Sequence, residues 1–192
     1  MQKDLKRNQK TSFKIRNVKI ADLAGVVKLF DLQLGKNYIT EKCLKEATKS
    51  RRTFCKVVED LDQSKVVGAC IYSIVSYNEA KSLIREMDIA ELESKSQIGL
   101  IKTVAVDDNY KNMGVGTNLI STVIKELNSK GISEFFSPAW KFSGITNIAH
   151  ILERNGFSKK LKFLIIGMKV VCVKILIVQN VATHVVAHVW YM

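Results

Sequence analysis

The sequence predicts a mixed α/β fold of the α+β type, in which one mostly antiparallel sheet is flanked by about four helices. Segments that alternate apolar and polar residues, as strands do, are interspersed with segments whose apolar residues recur at helical spacing. Two of the strand segments, Thr53–Glu59 and Val66–Val75, are separated only by a short polar turn, which predicts an antiparallel hairpin. With 192 residues, 47% of them hydrophobic, and a single proline, the chain is suited to one compact domain.

The first predicted elements are a strand and two helices. Phe13–Ile20 alternates in the manner of a half-buried strand, and Asp22 follows it as the predicted N-cap of a helix. Thr40 is placed to cap a second, shorter helix. The residues predicted to face the core are Leu23, Val26, Val27 and Phe30 on the first helix and Cys43, Leu44 and Ala47 on the second.

Helices and strands continue to alternate after the hairpin. An amphipathic helix is predicted over residues 79–95, and the strand Gly99–Val106 follows it. Gly114 and Gly116 open the most regular helix of the chain, and Gly131 is placed to end it. The remaining predicted elements are a strand over Ile132–Phe136, closed by Pro138-Ala139-Trp140, and a short helix that ends at Asn155-Gly156.

The positive charge of the chain is concentrated at its two ends. Residues 1–19 and residues 154–192 each carry a net charge of +6, so the +12 of the whole chain leaves residues 20–153 neutral. A neutral body argues against a nucleic-acid-binding surface, which gathers basic residues on one face. We therefore divide the chain into a basic N-terminal extension (1–12), one domain (13–162) and an apolar C-terminal tail (163–192), and we expect neither a nucleic acid nor a membrane as a partner.

The four cysteines, Cys43, Cys55, Cys70 and Cys172, are scattered and form no CxxC pair. The N-terminal segment contains no apolar stretch of the kind found in signal peptides. We therefore expect free, buried thiols and a cytoplasmic protein. The sequence leaves the choice between a monomer and a homodimer open.

Residues 104–117 carry the strongest chemical signal. A strand that ends in Val104-Ala105-Val106 runs into a polar loop, which becomes the first turn of a helix at Gly114. The N–H groups of a first helical turn lack intrahelical partners and lie at the positive end of the helix dipole, so they can hold a phosphate or a diphosphate. Gly114 and Gly116 would let such a ligand approach the main chain, and Lys111 adds a positive charge. The same glycines would equally serve a tight turn or close packing of the helix. A Walker motif and a dinucleotide fingerprint are both absent.

This segment resembles the signature of the GNAT superfamily of N-acyltransferases, which reads Arg/Gln-x-x-Gly-x-Gly/Ala after a strand ending in an apolar-Ala-Val triplet. Lys111-Asn112-Met113-Gly114-Val115-Gly116 stands in that register, and Tyr110 occupies a position where the family often has an aromatic residue. Phe13–Phe30 is similar to the family's first strand and helix, Thr53–Val75 to its hairpin and Ile151–Phe157 to its closing helix. The resemblance covers about residues 13–160.

The resemblance implies a sheet that splays between the strands at 99–106 and 132–137, with the pantetheine arm of acetyl-CoA in the gap. Main-chain groups at the end of the first strand would pair with that arm, and the N–H groups of the following loop would hold the diphosphate. Lys111 in place of Arg or Gln lacks the planar fork of a guanidinium, so we expect weaker cofactor binding. The implied cofactor-binding residues are Val104, Ala105, Val106, Lys111, Asn112, Met113, Gly114, Val115, Gly116, Thr117 and Asn147.

The implied reaction is direct attack of an amine on the thioester of acetyl-CoA within a ternary complex. It needs a base for the ammonium proton, a donor for the oxyanion, such as the Val104 N–H, and a proton for the departing thiolate. Many relatives supply that proton from a tyrosine where this chain has Leu152, so water or a hydroxyl such as Thr146 would replace it. The candidate bases are Glu86, Asp88, Glu91 and Gln97, although a solvated helix face explains these side chains as well.

Leu152 and the lack of an obvious base leave a second interpretation open, a non-catalytic CoA-binding or regulatory module on the same fold. Trp140 and Phe142 would line the acceptor pocket or belong to the core, and His150 is expected at the surface or in the core. The acceptor amine is not identified by the sequence.

The tail, Phe163–Met192, is rich in Ile and Val, and its segment Lys169–Lys174 would supply one closing strand. His184 and His188 have the spacing of metal ligands on a helix, but their valine-rich setting indicates a strand, so no metal is predicted. Read one frame out, Ile177–Val185 permits Cys-Pro-Lys-Cys-Gly-Asn-Pro-Cys, which resembles the zinc-ribbon-like tail of some GNAT relatives. We therefore hypothesise a frameshift within residues 158–165.

Overall fold

The computed structural model describes residues 12–83, 96–139, 149–156, 158–166 and 169–179. These residues form a seven-stranded sheet with the strand order β1-β2-β3-β4-β5-β7-β6. All neighbouring strands are antiparallel except β4 and β5, which run parallel. The elements in chain order are β1 (Phe13–Asn17), α1 (Leu23–Leu34), α2 (Glu41–Lys49), β2 (Thr53–Asp60), β3 (Lys65–Val75), α3 (Tyr77–Leu83), β4 (Ile98–Val106), α4 (Val115–Ser129), β5 (Glu134–Ala139), α5 (Ala149–Arg154), β6 (Ser158–Ile166) and β7 (Lys169–Gln179). The predicted α+β class and the mostly antiparallel sheet are confirmed.

Different helices cover the two faces of the sheet. On one face α1 and α2 bury Phe30 and Leu44 against a cluster that includes Val57 of β2. On the other face α4 and α5 contribute to a second cluster that includes Val58 of β2 and Leu152 of α5. Because successive strand residues point to opposite faces, adjacent valines of one strand serve the two cores.

The first strand ends three residues earlier than predicted. Lys19 begins a short 3-10 turn in place of the strand's last residues, and its N–H donates to the Asp22 carboxylate over 2.6 Å. Asp22 precedes α1 as predicted, but its side chain makes no capping hydrogen bond to α1. Its carboxylate instead accepts two bonds from Arg16, at 2.6 and 2.9 Å, and Arg16 also bonds Glu59 over 2.7 Å. Arg16 therefore belongs to the folded domain and not to a solvated basic end.

The second helix begins where the sequence predicts. Thr40 Oγ1 accepts from the Cys43 N–H over 3.3 Å, and Leu44 and Ala47 are buried. The prediction of an inward-facing Cys43 is wrong: this thiol is exposed, because it lies in the first turn beside the capping hydroxyl. Cys55 and Cys70 are buried free thiols, and burial raises the pKa of Cys55 to about 12.

The helix predicted over 79–95 begins earlier, at Tyr77, and the structure describes it as far as Leu83. Ser76 and Glu79 form a reciprocal cap. The Glu79 N–H donates to Ser76 Oγ over 3.3 Å, and the Ser76 N–H donates to Glu79 Oε2 over 2.7 Å. The rest of the predicted helix lies outside the described residues.

The end of α4 and the start of β5 are set by one turn. Gly131, with φ of +79°, donates its N–H to Asn128 O, and the Ile132 N–H donates to Leu127 O over 3.1 Å. Gly131 thus ends the helix as predicted, and Ile132 is bound to the helix instead of starting the strand. β5 consequently runs from Glu134 to Ala139 and includes Pro138, which was expected to close it.

Two closing strands follow α5: β6, and β7, which contains the predicted strand Lys169–Lys174 and continues to Gln179. β7 lies between β5 and β6 in the sheet. The proposed division of the chain after residue 162 falls within β6 and stays a prediction. Among the described residues, no helix has the length and apolar character that crossing a membrane requires.

Candidate functional site

The sheet opens between its two parallel strands. β4 pairs with β5 only at Gly99–Phe135 and Leu100–Phe136. One residue further, the Ser137 hydroxyl donates to the carbonyl oxygen of Ile101 over 3.0 Å, and Ser137 is buried. Beyond this bond β5 continues beside β7, and the rest of β4 has no strand partner on that side among the described residues. The structure therefore has a gap between β4 and β5 with Ser137 at its apex.

A β-bulge orients the main chain along this gap. The β3–β4 register shifts so that Lys102 is an extra residue of β4. After the bulge, the Asp107 N–H donates to Val67 O over 2.9 Å, on the β3 side. Because main-chain groups alternate along a strand, those of Val104 and Val106 face the opposite side, toward the gap.

The loop after β4 leads directly into the first turn of α4. Asn112 and Gly114 both have left-handed backbone conformations, with φ of 64° and 78°. Gly114 is the N-cap of α4 and supplies no side-chain cap. The main-chain N–H groups of Val115, Gly116 and Thr117 have no hydrogen-bond acceptor among the described residues, as expected for the first turn of a helix. A left-handed entry and uncapped amides at the end of the gap fit an anionic group such as a diphosphate.

Lys111 already has a partner. Its Nζ lies 2.5 Å from Oδ1 of Asp108, three residues earlier, and this contact, with a hydrogen bond from Gln33, holds the pKa of Asp108 below its usual value. Lys111 is 43% exposed and Asp108 71%, so the pair is open to solvent. The positive charge of Lys111 is therefore partly neutralised, and an incoming anion would compete with Asp108 for it.

Tyr110 joins the loop to the β2–β3 hairpin. Its hydroxyl donates to Oδ2 of Asp60 over 2.7 Å, and Asp60 is fully buried at the end of β2. Its ring meets Phe13 edge to face, with centroids 6.0 Å apart, and Lys65 Nζ lies 5.9 Å from its centroid. Burial and the bond to Asp60 raise the pKa of Tyr110 to about 12.

The two glycines of the motif have different structural roles. Gly114 adopts a conformation that favours glycine, which agrees with the turn alternative left open by the sequence. At Gly116 a Cβ would lie 2.8 Å from Cδ1 of Ile151, so the absence of a side chain there allows α4 to pack against α5. Close helix packing thus explains Gly116 without a ligand.

The other candidate residues are only partly described. Gln97 is exposed immediately before β4, and Leu152 is fully buried in the core. Val104 and Val106 are half-buried, Ala105 is buried against the α1 cluster, and Met113 is 47% exposed. The predicted positions that lie outside the described residues are Glu86, Asp88, Glu91, Trp140, Phe142, Thr146, Asn147, His184 and His188. In the described part of the chain, no three His, Cys, Asp or Glu side chains are grouped as metal ligands would be.

Comparison with known families gives a match on this region. The acetyltransferase (GNAT) family model matches residues 27–142, a range that begins within α1, continues past the end of β5 and includes the gap and the loop. The chain belongs to the GNAT family. The GNAT family uses acetyl-CoA as its co-substrate, and a structural neighbour of this chain has CoA bound. A search of curated proteins finds no match.

Solved GNAT structures share the fold at low sequence identity. A chain from the NatC complex bound to Gag peptide and CoA has a TM-score of 0.64 and 15% identity, covering 88% of this chain and 98% of that one. The polyamine N-acetyltransferase of Drosophila melanogaster, which forms N-acetylagmatine, has a TM-score of 0.66 and 11% identity, covering 88% and 100%. Glucosamine-6-phosphate N-acetyltransferase from Arabidopsis thaliana has a TM-score of 0.60 and 17% identity, covering 82% and 99%.

Sequence patterns did not reveal Ser137, Asp60 or the bulge at Lys102. Ser137 and Asp60 act through partners 36 and 50 residues away, so no local spacing signals them. The bulge depends on the register of β3 against β4, which alternation within one strand does not specify. The sequence placed Asp60 in the polar turn after the strand Thr53–Glu59, and nothing in that pattern indicated that its carboxylate is buried.

Proposed function

We propose that this chain transfers the acetyl group of acetyl-CoA to an amine by direct attack in a ternary complex. The observation that carries the proposal is the gap between β4 and β5, which runs from Ser137 toward the uncapped first turn of α4. A ligand with a thioester at one end and a diphosphate at the other would lie along the exposed edge of β4. Membership of the GNAT family supports the same assignment.

The cofactor contacts we propose follow the order of the chain. The main-chain groups of Val104 and Val106 would pair with the amides of the pantetheine arm, with Ala105 between them. The N–H groups from Asn112 through Thr117 would hold the diphosphate. The sequence also suggested the Lys111 N–H, but that group already donates to the carbonyl oxygen of Asp108 over 3.4 Å, so Lys111 would contribute its side chain, released from Asp108. Asn147 stays a proposed further contact.

The transfer forms a C–N bond and breaks the C–S bond of the thioester. The amine loses its proton to a base or to water, and the thiolate of CoA takes up a proton. The Val104 N–H, facing the gap, would stabilise the oxyanion that develops on the carbonyl oxygen. Leu152 is buried and its side chain has no acidic proton, and the Ser137 hydroxyl already donates to the carbonyl oxygen of Ile101. Neither residue therefore supplies a proton to the thiolate. Water is therefore the proposed proton source, and Glu86, Gln97 and Thr146 remain candidates for the proton-transfer roles.

A non-catalytic CoA-binding module is the second candidate, and the buried Leu152 favours it. Release of free thiol from acetyl-CoA separates the two functions. The acceptor panel should include agmatine and a polyamine, a peptide with a free N-terminus and an amino-sugar phosphate, since the structural neighbours act on or bind such molecules. Thiol release that depends on one amine supports transfer, whereas binding of CoA without any turnover supports the module.

The diphosphate contact is tested by removing one main-chain donor. Thr117→Pro deletes an N–H in the first turn of α4, where no intrahelical bond is lost, and Thr117→Ala is the matched control that keeps it. CoA should bind Thr117→Pro roughly tenfold more weakly than Thr117→Ala, as expected for loss of a charge-assisted hydrogen bond. Equal affinities of the two folded variants would contradict the proposed diphosphate site.

A further inference from the structure

Asp60 is a buried carboxylate outside the gap, and both of its oxygens accept hydrogen bonds from other groups of the protein. Its Oδ1 accepts from the N–H groups of Asp62 and Gln63, over 2.9 and 3.1 Å, and its Oδ2 accepts from the Tyr110 hydroxyl over 2.7 Å. The side chain is fully buried. These bonds join the β2–β3 turn to a residue that immediately precedes Lys111.

The loop between β4 and α4 is tied to the same hairpin at its other end. The Asp107 N–H donates to Val67 O over 2.9 Å, and Lys65 Nζ bonds Asp107 Oδ2 over 2.7 Å. The bond of Tyr110 to Asp60 lies nearer the left-handed residues Asn112 and Gly114. It therefore restrains the C-terminal half of the loop, which leads directly into the uncapped first turn of α4.

We propose that Asp60 and Tyr110 are positioning residues for CoA, a role that rests on the proposed function. Asp60 holds the Tyr110 phenol, the phenol fixes the loop, and the loop aims the N–H groups of residues 115–117 at the diphosphate. Both side chains are buried, so neither would contact the ligand directly. An anion site built from main-chain donors depends on such a support, because its donors have no side-chain rotamers with which to adjust.

A second phenol–carboxylate pair in the same fold provides a matched control. Tyr72 of β3 donates to Glu126 Oε1 over 2.9 Å, and Glu126 lies in the fourth turn of α4, far along the helix from its N-terminus. Tyr72→Phe removes a bond of the same chemical type, between β3 and the far end of α4, and leaves the loop between β4 and α4 unchanged. A purely structural role for Tyr110 would make the two variants alike.

The test measures CoA binding by calorimetry, which needs no acceptor amine. Tyr110→Phe keeps the ring against Phe13 and removes only the hydroxyl, so CoA should bind it roughly three- to tenfold more weakly than the wild-type protein. Tyr72→Phe should bind CoA within about twofold of the wild-type protein. Hydrogen exchange of the hydrogen-bonded amides of Tyr110, Lys111 and Asn118, without CoA, should be faster in Tyr110→Phe and unchanged in Tyr72→Phe.

Two results would overturn the positioning role. One is wild-type CoA affinity in folded Tyr110→Phe, and the other is an equal loss of affinity in Tyr72→Phe. Asp60→Ala breaks the same bond from the other side and serves if Tyr110→Phe does not fold. A wild-type protein that does not bind CoA would instead overturn the proposed function, so the two failures are distinguishable.

Discussion

A Cβ on Gly116 would lie 2.8 Å from Cδ1 of Ile151 and 3.5 Å from Cγ2 of Val106. Helix α4 thus contacts both α5 and β4 at a position where only glycine fits without movement. Gly116→Ala should lower the free energy of unfolding by no more than about 1 kcal/mol, because the terminal methyl group of Ile151 must move aside while the better helix propensity of alanine offsets part of that cost. Urea denaturation measures this as a lower midpoint with an unchanged m value.

The Ile151 side chain offers a direct check of that cause. Ile151→Val removes Cδ1, the atom nearest the added methyl group, and alone should cost about 0.5–1.5 kcal/mol. In the Gly116→Ala background the same change should cost less, or should stabilise the protein. Additive effects of the two substitutions would show that the contact with Ile151 is not what requires glycine at this position.

Gly114 is required for its backbone conformation and not for space. Its φ is +78°, and the nearest atom to an added Cβ, Nδ2 of Asn118, would be 3.8 Å away. Gly114→Ala should therefore lower the free energy of unfolding by about 1–2 kcal/mol, the cost of a left-handed alanine. Gly25→Ala, within α1 and with no atom within 4 Å of the added Cβ, is the control and should stabilise the protein by about 0.5–1 kcal/mol. Similar effects at the two sites would contradict the conformational explanation.

Local signals in the sequence predicted most of the elements. Thr40 caps α2 and Gly131 ends α4 as expected, because each acts on main-chain groups within five residues. The opposite case is Ile132, whose apolar character suggested a strand while its N–H is bound to α4. The bounds of an element were wrong where a cap or turn competed with the apolar pattern.

The motif itself could be predicted from the sequence, whereas the contacts that support it could not. The strand end at Val106 and the first turn of α4 are contiguous in sequence, so their spacing predicted a helix N-terminus at the end of a strand. The support of that loop by Asp60 depends on the pairing of β2 with β3 and of β3 with β4, which brings together residues 50 positions apart. Interactions of this kind follow from the assembled sheet and have no signature in a single stretch of sequence.

The frameshift hypothesis makes a prediction about individual codons. The shifted reading Cys-Pro-Lys-Cys-Gly-Asn-Pro-Cys over Ile177–Val185 requires third-position T in the codons of Ile177, Asn180 and His184, because each T joins the GT of the following valine. Sequencing the gene at these three codons tests it. A C or an A in the third position of any of them would remove a cysteine from the shifted reading and end the hypothesis.

A half-buried ion pair connects α4 to the first three strands. Glu126 accepts from Tyr72, and its Oε2 lies 2.5 Å from Lys56 Nζ, which also bonds Asn17 Oδ1 over 2.8 Å. Burial acts to raise the pKa of Glu126, but its hydrogen bonds to Lys56 and Tyr72 outweigh it and the pKa is lowered. Lys56→Met should lower the free energy of unfolding by about 1–3 kcal/mol, since it removes the nearer cation of a partly buried carboxylate and leaves only Lys130, whose Nζ lies 3.9 Å from Oε1 of Glu126.

The matched variant for this pair neutralises both partners. Lys56→Met combined with Glu126→Gln should recover part of the loss, because the partly buried carboxylate is neutralised together with its nearer cation. The pKa of Glu126, followed by NMR, should rise in Lys56→Met. A double variant that is less stable than Lys56→Met would show that the remaining carboxylate is not the source of the destabilisation.

The bond between Tyr110 and Asp60 also predicts how stability depends on pH. The Tyr110 hydroxyl lowers the pKa of Asp60 in the folded protein, as do the N–H groups of Gln63 and Asp62, although burial opposes them. A lowered carboxyl pKa stabilises the fold above the unfolded value of about 3.9, and this contribution is lost as the pH falls through the folded pKa. Tyr110 has the opposite sign: its pKa is raised to about 12, so its contribution is complete below about pH 10 and is lost between about pH 10 and 12.

Tyr110→Phe isolates these two contributions. Lys65 lies near the Tyr110 ring and bonds Asp107 in both proteins, so the quantity to compare is the difference in unfolding free energy between the wild-type protein and the variant. That difference should be largest and constant from about pH 5 to 9 and should shrink toward both extremes, because protonation of Asp60 at acid pH and ionisation of the Tyr110 phenol at alkaline pH each weaken the bond that the variant lacks. Urea denaturation across the pH range measures it. A difference that stays the same at every pH would mean that the hydroxyl stabilises the loop without the ionised carboxylate of Asp60.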